Sequence, residues 1–228
     1  MAGMPKAKGI VMTPHIRERS ADTGAGSGKA MDRVVAFSDG VFAFAITLLV
    51  VSLDVPELPA GAAARELAGA LLAQAPRFGS YAFSFWVVAI FWMAHHRMYE
   101  YIVRYDGRLL QMNLLMLFGI AFLPYPVELL GRYGDQPVAV AFYCGTMAFV
   151  GFTSTGLWTY AIRRGLLRPD TPKAVIRHFG ARAVTAPLVF LASAVVALFN
   201  VGAAYFAFIL IPVIQGYLRR RYAGAGIR

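Results

Sequence analysis

With 228 residues, 58% of them hydrophobic, only 15% charged and a mean hydropathy of +0.58, the chain is too apolar for a soluble domain of its size. Its net charge of +10 does not indicate nucleic acid, because the basic residues sit between hydrophobic blocks, where they orient a membrane protein against the anionic cytoplasmic surface. The single cysteine, Cys144, lies in an apolar stretch and excludes an internal disulfide and any cysteine-based metal site.

Residues 1–31, rich in Gly, Ala and Lys with no apolar core, are expected to form a disordered cytosolic tail and contain no cleavable signal peptide. The first membrane span is predicted at 33–54 and is closed by Asp54-Val-Pro56. An Ala-rich segment at 62–75 suits a short interfacial helix, and Pro76-Arg77 opens a second span at 77–99. The third runs over 108–130, with Pro124 and Pro126 near its far end, where neighbouring helices would satisfy the freed carbonyls. The fourth covers 136–162 and the fifth 174–199. The short Asn200-Val-Gly202 link turns straight back into a sixth at 202–221. Pro187 and Pro212 are expected to kink the last two. The reading is therefore an all-α integral membrane protein with one six-helix domain, 32–222, and a short cytosolic tail at 223–228.

Nineteen of the 22 Lys and Arg residues fall on one side of this topology, leaving only Arg65, Arg77 and Arg132 on the other. Both termini are thus expected in the cytosol, in agreement with an even number of spans.

On the first span, Phe37, Gly40, Phe44, Thr47, Leu48 and Val51 share one face at about 100° per residue, with Arg33 at its foot. Such a stripe is the form of an ordinary helix–helix seam, and periodicity alone favours that reading. Asp39 lies roughly 9 Å inside Arg33 and about 120° round the helix from it, so its partner must come from another helix or another subunit. Trp92, His95, His96 and Tyr99 fall at i, i+3, i+4 and i+7 on the second span, at the same depth as Ser38 and Asp39. An Asp–His contact is expected there, with Gln111 and Asn113 of the third span near enough to join. Adjacent histidines without Glu or Cys at ligand spacing favour a structural network over a zinc site. Glu128 and Asp135 default to solvated or interfacial roles.

No Gly-x-Ser-x-Gly, His-Glu-x-x-His or phosphate-cradling loop is present, so no enzyme is expected. Thr-Val-Gly-Tyr-Gly is absent too, which excludes a conventional carbonyl-lined potassium filter.

Arg33-x-x-x-Phe37-Ser38-Asp39 at the start of a first span resembles the signature of the transmembrane-protein-175 family, potassium channels of endosomes and lysosomes with bacterial relatives. Phe91-Trp92-x-x-His95-His96 and Asn113-Leu-Leu…Phe122-Leu-Pro124-Tyr-Pro126 are similar to its bacterial branch, over roughly 32–222. The resemblance implies a homotetramer in which the first helix lines a central pore, closed by apolar side chains. Carried over by position, the constriction and selectivity residues are Phe44, Thr47, Leu48 and Val51; the family has Leu or Ile where this chain has Phe44. The brace behind them comprises Arg33, Phe37, Ser38, Asp39, Trp92, His95, His96 and Asn113. Against the resemblance, the pore reading of the stripe overtakes the seam. Asp54 near the outer mouth either concentrates cations or is a solvated helix-end carboxylate. The expected function is a potassium-selective channel with K⁺ as permeant ion and no cofactor, in a bacterial plasma membrane. The alternative is a proton-coupled secondary transporter relaying through Asp39 and His95/His96.

Overall fold

The computed structural model describes residues 18–223 and, within them, is helical apart from turns and one isolated antiparallel bridge. Helix α1 (Glu18–Leu48) tightens into a 3₁₀ turn at Leu49–Ser52. It is followed by α2 (Ala64–Ala73), α3 (Ala75–Tyr99), α4 (Gly107–Phe122) and α5 (Pro124–Tyr133). The chain then forms α6 (Pro137–Arg163), α7 (Lys173–Ala197), α8 (Val201–Ala207) and α9 (Leu210–Ala223). Six stretches are long and apolar enough to cross a membrane: Ala30–Val51, Ala75–Tyr99, Gly107–Tyr133, Pro137–Arg163, Lys173–Ala197 and Val201–Leu218. These match the expected spans to within a few residues.

Three boundaries differ from expectation, each for a local reason. Helix α1 begins at Glu18, well before the tail expected over 1–31 ends. No proline lies between Pro14 and Pro56, so nothing forces a break ahead of the apolar stretch. Residues 1–17 and 224–228, which hold the rest of both expected tails, lie outside the described residues. The third span is two helices, because Pro124 has no N–H for the Ile120 carbonyl; the Leu123 N–H takes that carbonyl at 3.2 Å instead. The freed acceptor is thus satisfied by local tightening and not by a neighbouring helix. The sixth span breaks ahead of Pro212 in the same way, with the Ile211 N–H donating to the Phe208 carbonyl at 3.1 Å.

Pro187 is accommodated differently. Helix α7 runs through it, and the carbonyl it leaves unpaired, that of Ala183, accepts from the Thr155 hydroxyl of α6 at 2.8 Å. One turn earlier on α6, Gly151 makes room for the ring: a Cβ there would stand 2.8–3.0 Å from the Cβ, Cγ and Cδ of Pro187. Gly151 and Thr155 therefore form a socket for the proline, and α6 and α7 are the most extensively packed pair.

Helix α6 also packs on α4 and α5, while α1 packs on α4 and α3. The main core joins Phe42 and Leu49 of α1 to Met116 and Ile120 of α4 and to Tyr143 and Met147 of α6. A second core, with Met31, Tyr99, Leu109 and Trp158, closes the expected cytosolic end. There the loop after α3 is strapped to the loop after α6 through the bridge between Ile102 and Leu167 and the Arg168 N–H on the Tyr101 carbonyl at 2.8 Å.

Candidate ion-conduction site

Helix α1 has two faces of opposite character. Ser38, Phe42, Ala45 and Leu49, spaced at i, i+4, i+7 and i+11, are buried against the rest of the chain. The other side is open: Phe37 is 56% exposed, Phe44 63% and Val51 71%, with Gly40 and Thr47 exposed between them and Leu48 half-buried at the edge. Among the described residues nothing covers the stripe read from periodicity, which argues against the intramolecular seam. The Thr47 hydroxyl donates to the Phe44 carbonyl at 2.8 Å, so its proton is engaged on its own helix and its lone pairs remain free.

Behind this face a hydrogen-bonded chain crosses three helices. The Ser38 hydroxyl donates to the Val34 carbonyl (2.9 Å) and accepts from the Asn113 amide nitrogen of α4 (3.0 Å). With its nitrogen so committed, Asn113 turns its oxygen to His95 of α3 at 2.9 Å, which makes Nε2 the protonated ring nitrogen. All three side chains are buried. The His95 ring lies beside Tyr99 (4.5 Å between centroids) and Phe42 (5.5 Å), and its Nδ1 has no hydrogen-bond partner among the described residues. The aspartate has a different partner from the one expected. Asp39 Oδ1 accepts from Trp92 Nε1 at 2.8 Å, and among the described residues no hydrogen bond or ion pair joins it to a histidine. His95 is drawn away because Asn113 offers a buried acceptor, while the indole reaches the half-exposed Asp39 at the rim.

Three members expected in this network stand apart from it. His96 stacks near Trp92 at 5.8 Å and approaches Glu100 at 4.0 Å, on the exposed side of α3. Arg33 and Phe37 are exposed, and among the described residues no hydrogen bond or ion pair joins Arg33 to the brace.

At the opposite end of α1, Asp54 Oδ2 accepts from Arg77 at 2.8 Å and Arg132 at 3.4 Å, and Arg132 also holds Glu128 at 2.7 Å. Two of the three basic residues assigned to the outer side thus converge on this carboxylate. Asp54 is therefore an exposed carboxylate held by two guanidiniums. The sequence reading missed this pairing, although the scarcity of outer cations was a signal for it. It also missed the anchor of the opposite end. Asp106 caps α4 by accepting from the Leu109 N–H and from the Tyr160 hydroxyl, both at 2.8 Å. Those two bonds, the backbone one first, hold its carboxyl below the usual carboxylate range.

A profile of the family described as endosomal/lysosomal potassium channel TMEM175 matches residues 33–124, the stretch that holds the membrane-spanning half of α1, the brace and all of α4. A potassium channel of Streptomyces collinus is 40% identical over 151 residues, covering 62% of this chain and 71% of its own length. The chain belongs to the TMEM175 family. A potassium channel of Chamaesiphon minutus is 35% identical over 132 residues, 57% of this chain and 64% of that protein. The human endosomal/lysosomal proton channel TMEM175 is 26% identical over 89% of this chain, which spans only 42% of the human protein's length. Among solved structures, the crystal structure of a lysosomal potassium-selective channel TMEM175 homolog from Chamaesiphon minutus superposes with a TM-score of 0.68 at 25% identity. That match covers 85% of this chain and 98% of the other. TMEM175 proteins are channels and not enzymes, and membership makes this chain a membrane protein of that kind.

Proposed function

We propose that the chain is a potassium-selective cation channel. Its domain, residues 32–222, assembles as a homotetramer with the open face of α1 around the axis, and it resides in a bacterial plasma membrane with both termini cytosolic. The observation that carries this reading is the two-faced α1: a helix buried on one side and apolar but unpartnered on the other, inside the segment that matches the TMEM175 profile. The potassium-channel names of the bacterial relatives support the choice of ion.

On this reading Phe44, Leu48 and Val51 form an apolar collar that closes by dewetting, since a narrow hydrocarbon ring cannot replace an ion's hydration shell. Thr47 is the one polar pause. Its hydroxyl proton is held by the Phe44 carbonyl, so four such oxygens would present lone pairs to a partly dehydrated cation. Behind the collar, the Ser38–Asn113–His95 chain keeps α1 in register with α3 and α4.

The proton-relay transporter reading loses its geometric support, because Asp39 is bonded to an indole and His95 to an amide, neither of which accepts and passes on a proton in this role. Passage of protons through the same path is a separate matter, raised by the name of the human relative. The test is reconstitution of the purified chain in liposomes. A K⁺ gradient is expected to drive a saturation-free flux without an imposed pH gradient. Absence of K⁺ flux, or flux that requires a pH gradient, would sink the channel reading.

A further inference from the structure

A cavity of about 810 Å³ opens at the end of the bundle that carries Asp54. Its wall includes Arg77 and Ser80 at the start of α3, Arg132 and Tyr133 at the end of α5, Asp135 in the following turn, and Tyr205 of α8. Spans begin or end at Ala75, Tyr133, Pro137 and Val201, so the cavity sits at the boundary between membrane and water. Tyrosines at that level are usual for an interface.

The N–H donors on this wall are only partly spent, although Asp54 and Glu128 already balance the two guanidinium charges. Arg77 and Arg132 meet at a single oxygen, Asp54 Oδ2, and Arg132 has Glu128 besides. Each guanidinium carries five N–H donors, so most of the donors of the pair remain available to a second polyatomic anion. Asp135, on the same wall, accepts only from the Gln136 amide at 3.2 Å and has no cation partner among the described residues. The spare N–H donors of two charge-balanced guanidiniums, beside one carboxylate with no cation partner among the described residues, complement a group of no net charge that carries a phosphodiester and an ammonium together. The geometry points to a binding site for the headgroup of a zwitterionic aminophospholipid, with phosphate on Arg77 and Arg132, the ammonium on Asp135 and the acyl chains leaving into the bilayer. A purely anionic headgroup would leave Asp135 unmatched, and free phosphate would use only half the site. The same two arginines hold Asp54 just beyond the last turn of α1, so a bound lipid would fix the end of the first helix. The binding claim stands whether or not the chain conducts K⁺.

The experiment is a native mass-spectrometric titration of the full chain in detergent with dioctanoyl phosphatidylethanolamine, dioctanoyl phosphatidylglycerol and inorganic phosphate. The expected result is saturable binding of the ethanolamine lipid with a Kd at least tenfold below that of the glycerol lipid, unaffected by millimolar phosphate. Asp135→Asn leaves the Asp54 cluster intact and is expected to weaken the ethanolamine lipid at least fivefold while sparing the glycerol lipid. Arg77→Gln is expected to weaken both lipids. Equal affinity for the two lipids, displacement by phosphate, or an Asp135→Asn protein of unchanged melting temperature and unchanged lipid preference would each overturn the assignment.

Discussion

Replacing Asn113 by leucine should be among the most costly single changes in the molecule, and the reason is the histidine beside it. Asn113 accepts from His95 Nε2–H at 2.9 Å and donates to Ser38 Oγ at 3.0 Å. Ser38 is not stranded by the change, because its own hydroxyl still donates to the Val34 carbonyl. His95 is: its Nδ1 already lacks a partner among the described residues, so the whole ring would be left without a hydrogen bond between Tyr99 and Phe42. An unsatisfied buried donor costs about 1–3 kcal/mol, and the lost Ser38 bond adds about 0.5–1 kcal/mol. At about 2–4 °C per kcal/mol for a chain of this length, the melting midpoint should fall by about 3–16 °C. Thermal melts in detergent, read by size-exclusion recovery, give the number. The double variant His95→Leu/Asn113→Leu removes both polar partners and should recover most of the loss, since an apolar pair leaves nothing unsatisfied. If Asn113→Leu melts with the parent protein, or if the double variant is worse than the sum of the singles, the brace does not work this way.

Three further outcomes follow from the same structure. Thr155→Val strips the hydroxyl that donates to the Ala183 carbonyl and should destabilise by about 1–2 kcal/mol; in a Pro187→Ala background, where an intrahelical N–H returns, the same change should cost little in a melting double-mutant cycle. Gly151→Leu should be worse than either, as even a Cβ there would meet the Pro187 ring at 2.8 Å, and a loss of folded protein on size exclusion would register it. The contribution of Asp106, whose carboxyl is held low, is complete above the ordinary aspartate range and disappears as pH falls through the depressed value; Asp106→Asn keeps a capping side chain and should flatten the acid limb of a melting-temperature profile.

Span positions were legible because a bilayer demands about 20 apolar residues, and the blocks from 30 to 218 meet that demand without ambiguity. The stripe on α1 was legible for a related reason, although periodicity alone took it for a packed seam and not an open face. Helical periodicity puts Phe44 opposite Phe42 and Leu49 whatever surrounds them. Partner choice was not legible, because it is decided by tertiary geometry: Asp39 and His95 were both expected at one level, yet an indole and an amide intervene. The prolines illustrate the same limit. All of Pro124, Pro187 and Pro212 free a carbonyl, but only the packed structure shows that Thr155 rescues one from another helix while backbone tightening rescues the others. The Asp54 cluster joins residues 23 and 78 positions apart, a separation that no local pattern encodes.

The central claim is that the open face of α1 lines the ion path, and cysteine scanning along that helix tests it most directly. Cys144 is buried and provides a quiet background for the reagent. Single cysteines at Gly40, Phe44, Thr47 and Val51 in liposome-reconstituted protein should let a small cationic thiol reagent block K⁺ flux, whereas cysteines at Ala45 and Leu49 should not. Block at Ala45 and Leu49, or no block at any of the four open-face positions in a conducting protein, would contradict the account.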